Sequence, residues 1–202
     1  MTITRAPSDH AAPLMLIPTG AGESRQLIHD KLLHHDTRWF PDGKRVLLIG
    51  AQPGQLPRNY IINADSGDVQ PLTPEGTSGR YVSPEGTRVA VTDANKKLSL
   101  WPVAGGAPRP LNVDMTGQIV AGWTADGKGL YLGYADKNVL QQADVDVLDI
   151  ATGKRTLWKT VLAAEARRAQ LEYVPQISSD GKTYAYSFSR WQSELELLEG
   201  LK

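Results

Sequence analysis

Short apolar runs set between turn residues recur along the whole chain. Val46-Leu47-Leu48-Ile49, Val89-Ala90-Val91, Leu130-Tyr131-Leu132 and Tyr184-Ala185-Tyr186 are too short for core helices and suit strands covered on both faces. Each sits at the end of one of four segments that align without gaps: 39–48, 82–91, 123–132 and 177–186. Every segment predicts a strand, a turn and a second strand. The turns are Pro41-Asp42-Gly43, Pro84-Glu85-Gly86, Ala125-Asp126-Gly127 and Ser179-Asp180-Gly181. Proline presets φ, the acidic residue tolerates the next position, and glycine takes a left-handed conformation that strains any residue with a Cβ. Asp42, Gly43, Glu85, Gly86, Asp126, Gly127, Asp180 and Gly181 are therefore assigned as turn-defining, structural residues.

The turn glycines are 43 residues apart from Gly43 to Gly86, 41 from Gly86 to Gly127 and 54 from Gly127 to Gly181. Downstream of three of them, a third strand and glycine turn follow at 59–67, 98–106 and 145–153. Short fourth strands then come at 70–73, 109–111 and 155–158, with prolines suited to an outer edge. A period near 40 to 45 residues with strands only is the signature of four-stranded propeller blades. The expected fold is all-β: a partial, open-arc or small β-propeller of four-stranded antiparallel blades.

The expected organisation is a flexible N-terminal segment at 1–13, a partial blade at 14–29, and blades at 37–74, 79–112 and 120–159. An insertion at 159–172 and a last partial blade at 173–198 follow. The open arc is preferred to a four-bladed ring in which the strand around Arg25-Gln26-Leu27 would complete the last blade. Its bare edges imply self-association or pairing with missing blades. The insertion, rich in Ala, Leu, Glu, Arg and Gln, favours a helix of two to three turns, read as an interblade loop ahead of a partner-binding element.

Composition narrows the function classes. Lys plus Arg and Asp plus Glu number 22 each and the formal net charge is +0, so the basic excess that drives nucleic-acid binding is missing. With no cysteine there are no disulfides, thiolate nucleophiles or cysteine-ligated zinc. The first 13 residues lack the apolar core of a secretory signal, and no apolar run approaches the roughly 20 residues of a membrane helix. No membrane insertion by this chain is expected.

Candidate chemistry is sparse. His29, Asp30, His34 and His35 could contribute to a metal site, since imidazole and carboxylate suit zinc or similar ions. Their segment reads as an interblade loop without helical i, i+4 spacing, so a solvated polar loop is preferred. Gly20-Ala21-Gly22-Glu23-Ser24-Arg25 begins like a phosphate-binding loop but lacks a following helix and reads as a hairpin turn. No Gly-x-Ser-x-Gly elbow, P-loop or His-Arg-Asp catalytic loop occurs. No catalytic residue and no cofactor is assigned. Trp39 and Trp123 share one repeat position with Val82 and Ile177 and are expected to fill space between sheets.

The Pro-Asp-Gly-Lys type turn between apolar strands, paired with an Asp-x-x-Thr/Ser-Gly turn downstream, resembles the WD40-like (PD40) repeat of TolB-type β-propellers over about residues 14 to 202. More narrowly, 38–44, 100–106 and 184–190 resemble the C-terminal propeller attached to some bacterial serine/threonine protein kinases. Ala125 and Ser179 depart from the turn proline and Glu85 from the turn aspartate. The resemblance implies a non-enzymatic module that binds protein or peptide as a sensor or scaffold. Its alternative is an accessory propeller that docks or gates a separate kinase or serine peptidase domain. It also implies an extracytoplasmic setting where the parent protein is membrane-anchored.

Overall fold

A computed structural model describes residues 2–4, 13–28, 31–134, 142–162, 169–171, 175–178 and 180–190. An N-terminal sheet is made of β1 (Thr2–Thr4), β2 (Met15–Ile17) and β3 (Arg25–Gln26), in that order. Its first strand falls within the segment expected to be flexible. Three four-stranded antiparallel sheets follow in up-and-down order. The first contains β4 (Leu33–Trp39), β5 (Arg45–Ala51), β6 (Arg58–Asn63) and β7 (Val69–Pro71). The second contains β8 (Thr77–Val82), β9 (Arg88–Asp93), β10 (Lys97–Pro102) and β11 (Arg109–Asp114). The third contains β12 (Gln118–Trp123), β13 (Gly129–Tyr134), β14 (Gln142–Asp149) and β15 (Arg155–Leu162). Last, β16 (Ala169–Leu171) pairs with β19 (Phe188–Arg190), and β17 (Gln176–Ile177) with β18 (Tyr184–Ala185).

The fold is all-β, an open partial propeller, with no helix among the described residues. Within 159–172 this corrects the helical expectation for Lys159–Leu162 and Ala169–Leu171. Lys159–Leu162 continue β15, pairing with Gln142–Val145, and Ala169–Leu171 form β16. Val161 is fully buried, so ladder pairing and burial override helix propensity at Lys159–Leu162. Residues 163–168 and Glu172 lie outside the described residues.

Successive side chains of a strand point to opposite faces, so one apolar run serves two interfaces. On β5, Val46 and Leu48 pack with Leu14, Leu16 and Leu27 of the N-terminal unit, while Leu47 packs with Val89 and Val91 of the second full blade. On β9 the alternate residue, Ala90, joins Leu98 and Leu100 against Leu130, Leu132 and Leu148 of the third. On β13, Tyr131 turns the other way, to the cluster holding Ile177 and Tyr184. The continuous hydrophobic character of these central strands follows from this double burial.

Polar contacts add to the apolar interfaces. Fully buried Asn59 donates from Nδ2 to the Gly79 carbonyl of the next blade at 2.7 Å, and its backbone amide donates to Thr73 Oγ1 at 2.9 Å. Arg25 in β3 reaches the carbonyl of Ala64, and Arg109 in β11 reaches that of Ile150 at 3.0 Å. Each bond runs from the last strand of one sheet to the end of the next blade's third strand.

Candidate functional site

The repeated turns use their carboxylates structurally. Gly43, Gly86, Gly127 and Gly181 take φ of 65°, 73°, 66° and 67°. Asp42 Oδ1 accepts from the amides of Lys44 and Arg45 at 2.9 and 3.2 Å, and Oδ2 accepts from Arg45 Nε at 2.7 Å. In the turns where Ala125 or Ser179 stands in place of proline, a preceding hydroxyl ties the turn, as Ser83 also does ahead of Pro84. Thr124 donates to Asp126 Oδ1 at 2.7 Å while accepting from the Gly129 amide, and Ser178 likewise donates to Asp180 at 2.6 Å while accepting from Thr183. Glu85 accepts from Arg88 Nε at 2.8 Å, and the Arg88 guanidinium lies 5.1 Å from the Trp123 ring centroid.

These contacts hold the carboxyls ionised. At Asp126 and Asp180 the Thr124 and Ser178 hydroxyls, followed by the Lys128 and Lys182 amides, keep the acid below its ordinary value. At Asp42 and Glu85 partial desolvation opposes ionisation, but hydrogen bonds, including those from Arg45 and Arg88, outweigh it and the pKa is again lowered. Lowered folded-state values stabilise the fold fully above the ordinary values of 3.8 for Asp and 4.5 for Glu, and that stabilisation is lost as pH falls through the folded values. The melting temperature should hold level above about pH 5 and drop progressively below it. A pH series of melting curves checks this, and Asp126→Asn with Asp180→Asn should flatten the acid limb. An acid limb unchanged in that double variant would remove Asp126 and Asp180 as its cause.

The histidine segment is corrected by the fold. His34, His35 and Asp36 belong to β4, the first strand of a full blade, rather than to a loop. His34 is buried and His35 exposed, so the two imidazoles do not converge. His29 and Asp30 lie outside the described residues, and no cluster of three metal-ligating side chains occurs among those described. The Gly20–Arg25 stretch joins the paired strands β2 and β3. Trp123 is buried between blades and donates to the Tyr81 carbonyl at 2.9 Å, and Trp39 packs against the N-terminal interface. Trp191 lies outside the described residues.

A different constellation emerges where the blades meet. The first strands β4, β8 and β12 come together in succession, and β17 follows β12. All three full-blade first strands carry a bulge: the ladder passes from His34 to Asp36, from Ser78 to Tyr81 and from Val120 to Gly122. A bulge bends its strand, leaves a residue out of the ladder and re-aims its side chain. Arg80, in the bulge of β8, reaches back to β4, where its Nε lies 3.1 Å from Asp36 Oδ2. Arg38 approaches Asp36 Oδ1 at the same distance. Two guanidinium groups share one carboxylate, and the Arg80 side chain remains 58% exposed, so the wall carries excess positive charge.

Arg80 also lines a cleft of about 380 Å3 between the second and third blades. Ser78, Tyr81, Thr92 and Gln118 line it with Asp93 and Lys96. Lys96 holds φ of 62°, a left-handed conformation that costs a non-glycine residue about 1 kcal/mol. None of these residues was singled out from the sequence as a functional candidate. Asp36 and Arg80 are joined only through a bulge and a blade-to-blade contact, neither of which has a local sequence signal.

The repeating blades give this chain the fold of an open, partial β-propeller, similar to the propeller of TolB structures. A putative TolB from Agrobacterium tumefaciens superposes with a TM-score of 0.53 at 20% identity, over 85% of this chain and 66% of that one. A prolyl endopeptidase structure gives 0.52 at 16% identity, over 89% of this chain and 27% of that one. In sequence, 92 residues are 27% identical to the uncharacterized peptidase YuxL of Bacillus subtilis, covering 45% of this chain and 14% of YuxL. The chain thus spans less than two thirds of the length of each. No protein-family model matches it.

Proposed function

We propose that the chain is a non-catalytic propeller module that binds a protein or peptide segment along its inner wall. The bulged first strands carry this reading, because they interrupt their own ladders and present Arg80 and Arg38 with only Asp36 between them. Interrupted ladders offer backbone groups to an extended segment, while the excess cation favours an acidic side chain on it. The carboxylates surveyed at the turns are engaged in amide, hydroxyl or guanidinium hydrogen bonds. Selection from a displayed random-peptide library should enrich Asp and Glu, and the selected peptides should remain uncleaved. Arg80→Ser should weaken them by about tenfold, the scale of one charge-assisted hydrogen bond. Peptide cleavage by the purified chain, or binding indifferent to Arg80→Ser, would count against it.

A second reading is an accessory propeller that docks or gates a separate catalytic domain, a serine peptidase or a kinase. The 92 residues shared with YuxL favour the peptidase form. Coding sequence flanking this chain distinguishes it: an adjacent Ser–Asp–His hydrolase domain supports the accessory role, and its absence supports a free-standing binder.

A further inference from the structure

We propose that a cavity on the first full blade, beside the Lys31–Leu32 segment that leads into it, binds a small carboxylate carried on an apolar body, with Arg58 and Lys31 receiving the charge. The site is separate from the inner wall and does not rest on the peptide-binding reading. It measures about 520 Å3, within the usual range for small-molecule sites. Leu32, Pro53, Tyr60 and Val69 supply apolar walls, and no acidic side chain lines it among the described residues.

Arg58 is the built element. One η nitrogen is anchored by Glu75 Oε1 at 2.6 Å, and the guanidinium lies 5.9 Å from the Tyr60 ring centroid. Its Nε is buried and finds no acceptor among the described residues. The Arg58 side chain keeps 23% of its surface exposed and lines the cavity, where a carboxylate oxygen can accept from the guanidinium. Glu75 already balances one positive charge, so among the described residues exposed Lys31 is the single excess cation at the cavity. One excess charge and a partly occupied guanidinium fork suit a monoanionic carboxylate, and apolar walls disfavour a strongly hydrated dianion such as phosphate. The same chemistry occurs in a free aryl-alkanoic acid and at the C-terminal residue of a peptide.

Calorimetric titration of the full chain with N-acetyl-L-phenylalanine, its primary amide and N-acetyl-Gly-Gly-Phe tests the assignment. The acid should bind and the amide should be weaker by about tenfold or more, as expected for loss of a charge-assisted contact. Equal binding of the tripeptide identifies a peptide terminus as the source, and its exclusion identifies a free acid. Arg58→Lys should weaken the acid about tenfold through loss of the fork. Lys31→Met, at an exposed position that should leave folding intact, should weaken it severalfold by removing the excess charge. Arg80→Ser should leave the titration unchanged, which separates this site from the inner wall. No binding of the acid, equal binding of acid and amide, or binding abolished by Arg80→Ser but untouched by Lys31→Met would overturn the proposal.

Discussion

Gly79→Ala should destabilise the protein by about 3 kcal/mol, near the upper end for overpacking. A Cβ built at Gly79 would lie 2.3 Å from the Ala90 carbonyl oxygen and 2.8 Å from Val91 Cγ2. Both obstacles belong to β9, whose Val89, Ala90 and Val91 are buried in two blade interfaces and cannot retreat. Shifting β8 instead would pull the Gly79 carbonyl away from Asn59 Nδ2, leaving a buried acceptor unpaired. The control is Gly153→Ala, where φ is 72° but no atom lies within 4 Å of the new methyl. Its cost should stay near the 1–2 kcal/mol of an unfavourable left-handed backbone, roughly half the Gly79 effect. Urea unfolding of both variants decides: equal losses would mean that crowding at the bulge is not what demands glycine.

Leu130→Ala should cost about 2–5 kcal/mol, through lost burial and the cavity left behind. Leu130 is fully buried and packs in the cluster that joins the second and third full blades. Removing it creates a void at an interface lined from both sides by Leu98, Leu100, Leu132 and Leu148, so collapse around the gap must displace two sheets. Leu56→Ala, at a side chain 62% exposed, should stay within about 0.5 kcal/mol. Denaturant midpoints at constant m-value measure the difference, and a small loss for Leu130→Ala would show that the two blades do not depend on this interface.

The all-β propeller class was legible because its signals are local. The glycine of each aligned turn occupies the left-handed region, and the apolar runs beginning at Val46, Val89 and Leu130 form the central strands expected of them. The hydroxyls of Ser83, Thr124 and Ser178 ahead of the turns were already in the sequence, but their hydrogen bonds became evident only with the strands in place. The 159–172 stretch shows the limit of propensity: its composition favours a helix, yet the partner strand that captures Lys159–Leu162 begins at Gln142, ahead of the third strand read at Val145. The histidine segment failed for a related reason. Its polar run masked a first strand whose alternation is broken by the bulge after His34.

The candidate wall was hidden for a geometric reason. Asp36 and Arg80 lie one repeat apart, and nothing at either position distinguishes an axial ion pair from two solvated charges. Arg58 posed the same difficulty, since its unpaired Nε is a property of burial and of the bond to Glu75 across the loop after β7. Functional residues that owe their roles to contacts between repeats leave no motif within one repeat.

The alternating faces of the central strands make each full blade a link that grips only its sequence neighbours through the apolar clusters described. Stability in such an array behaves as a one-dimensional sum of unit and nearest-neighbour terms. An interior blade is held twice and a terminal one once. All three full blades are held on both sides, as at the second, where Val89 and Val91 face one neighbour and Ala90 the other. The N-terminal sheet and the β16–β19 strands are the places where the array can fray without dissolving its centre, or accept a further blade without rearranging it.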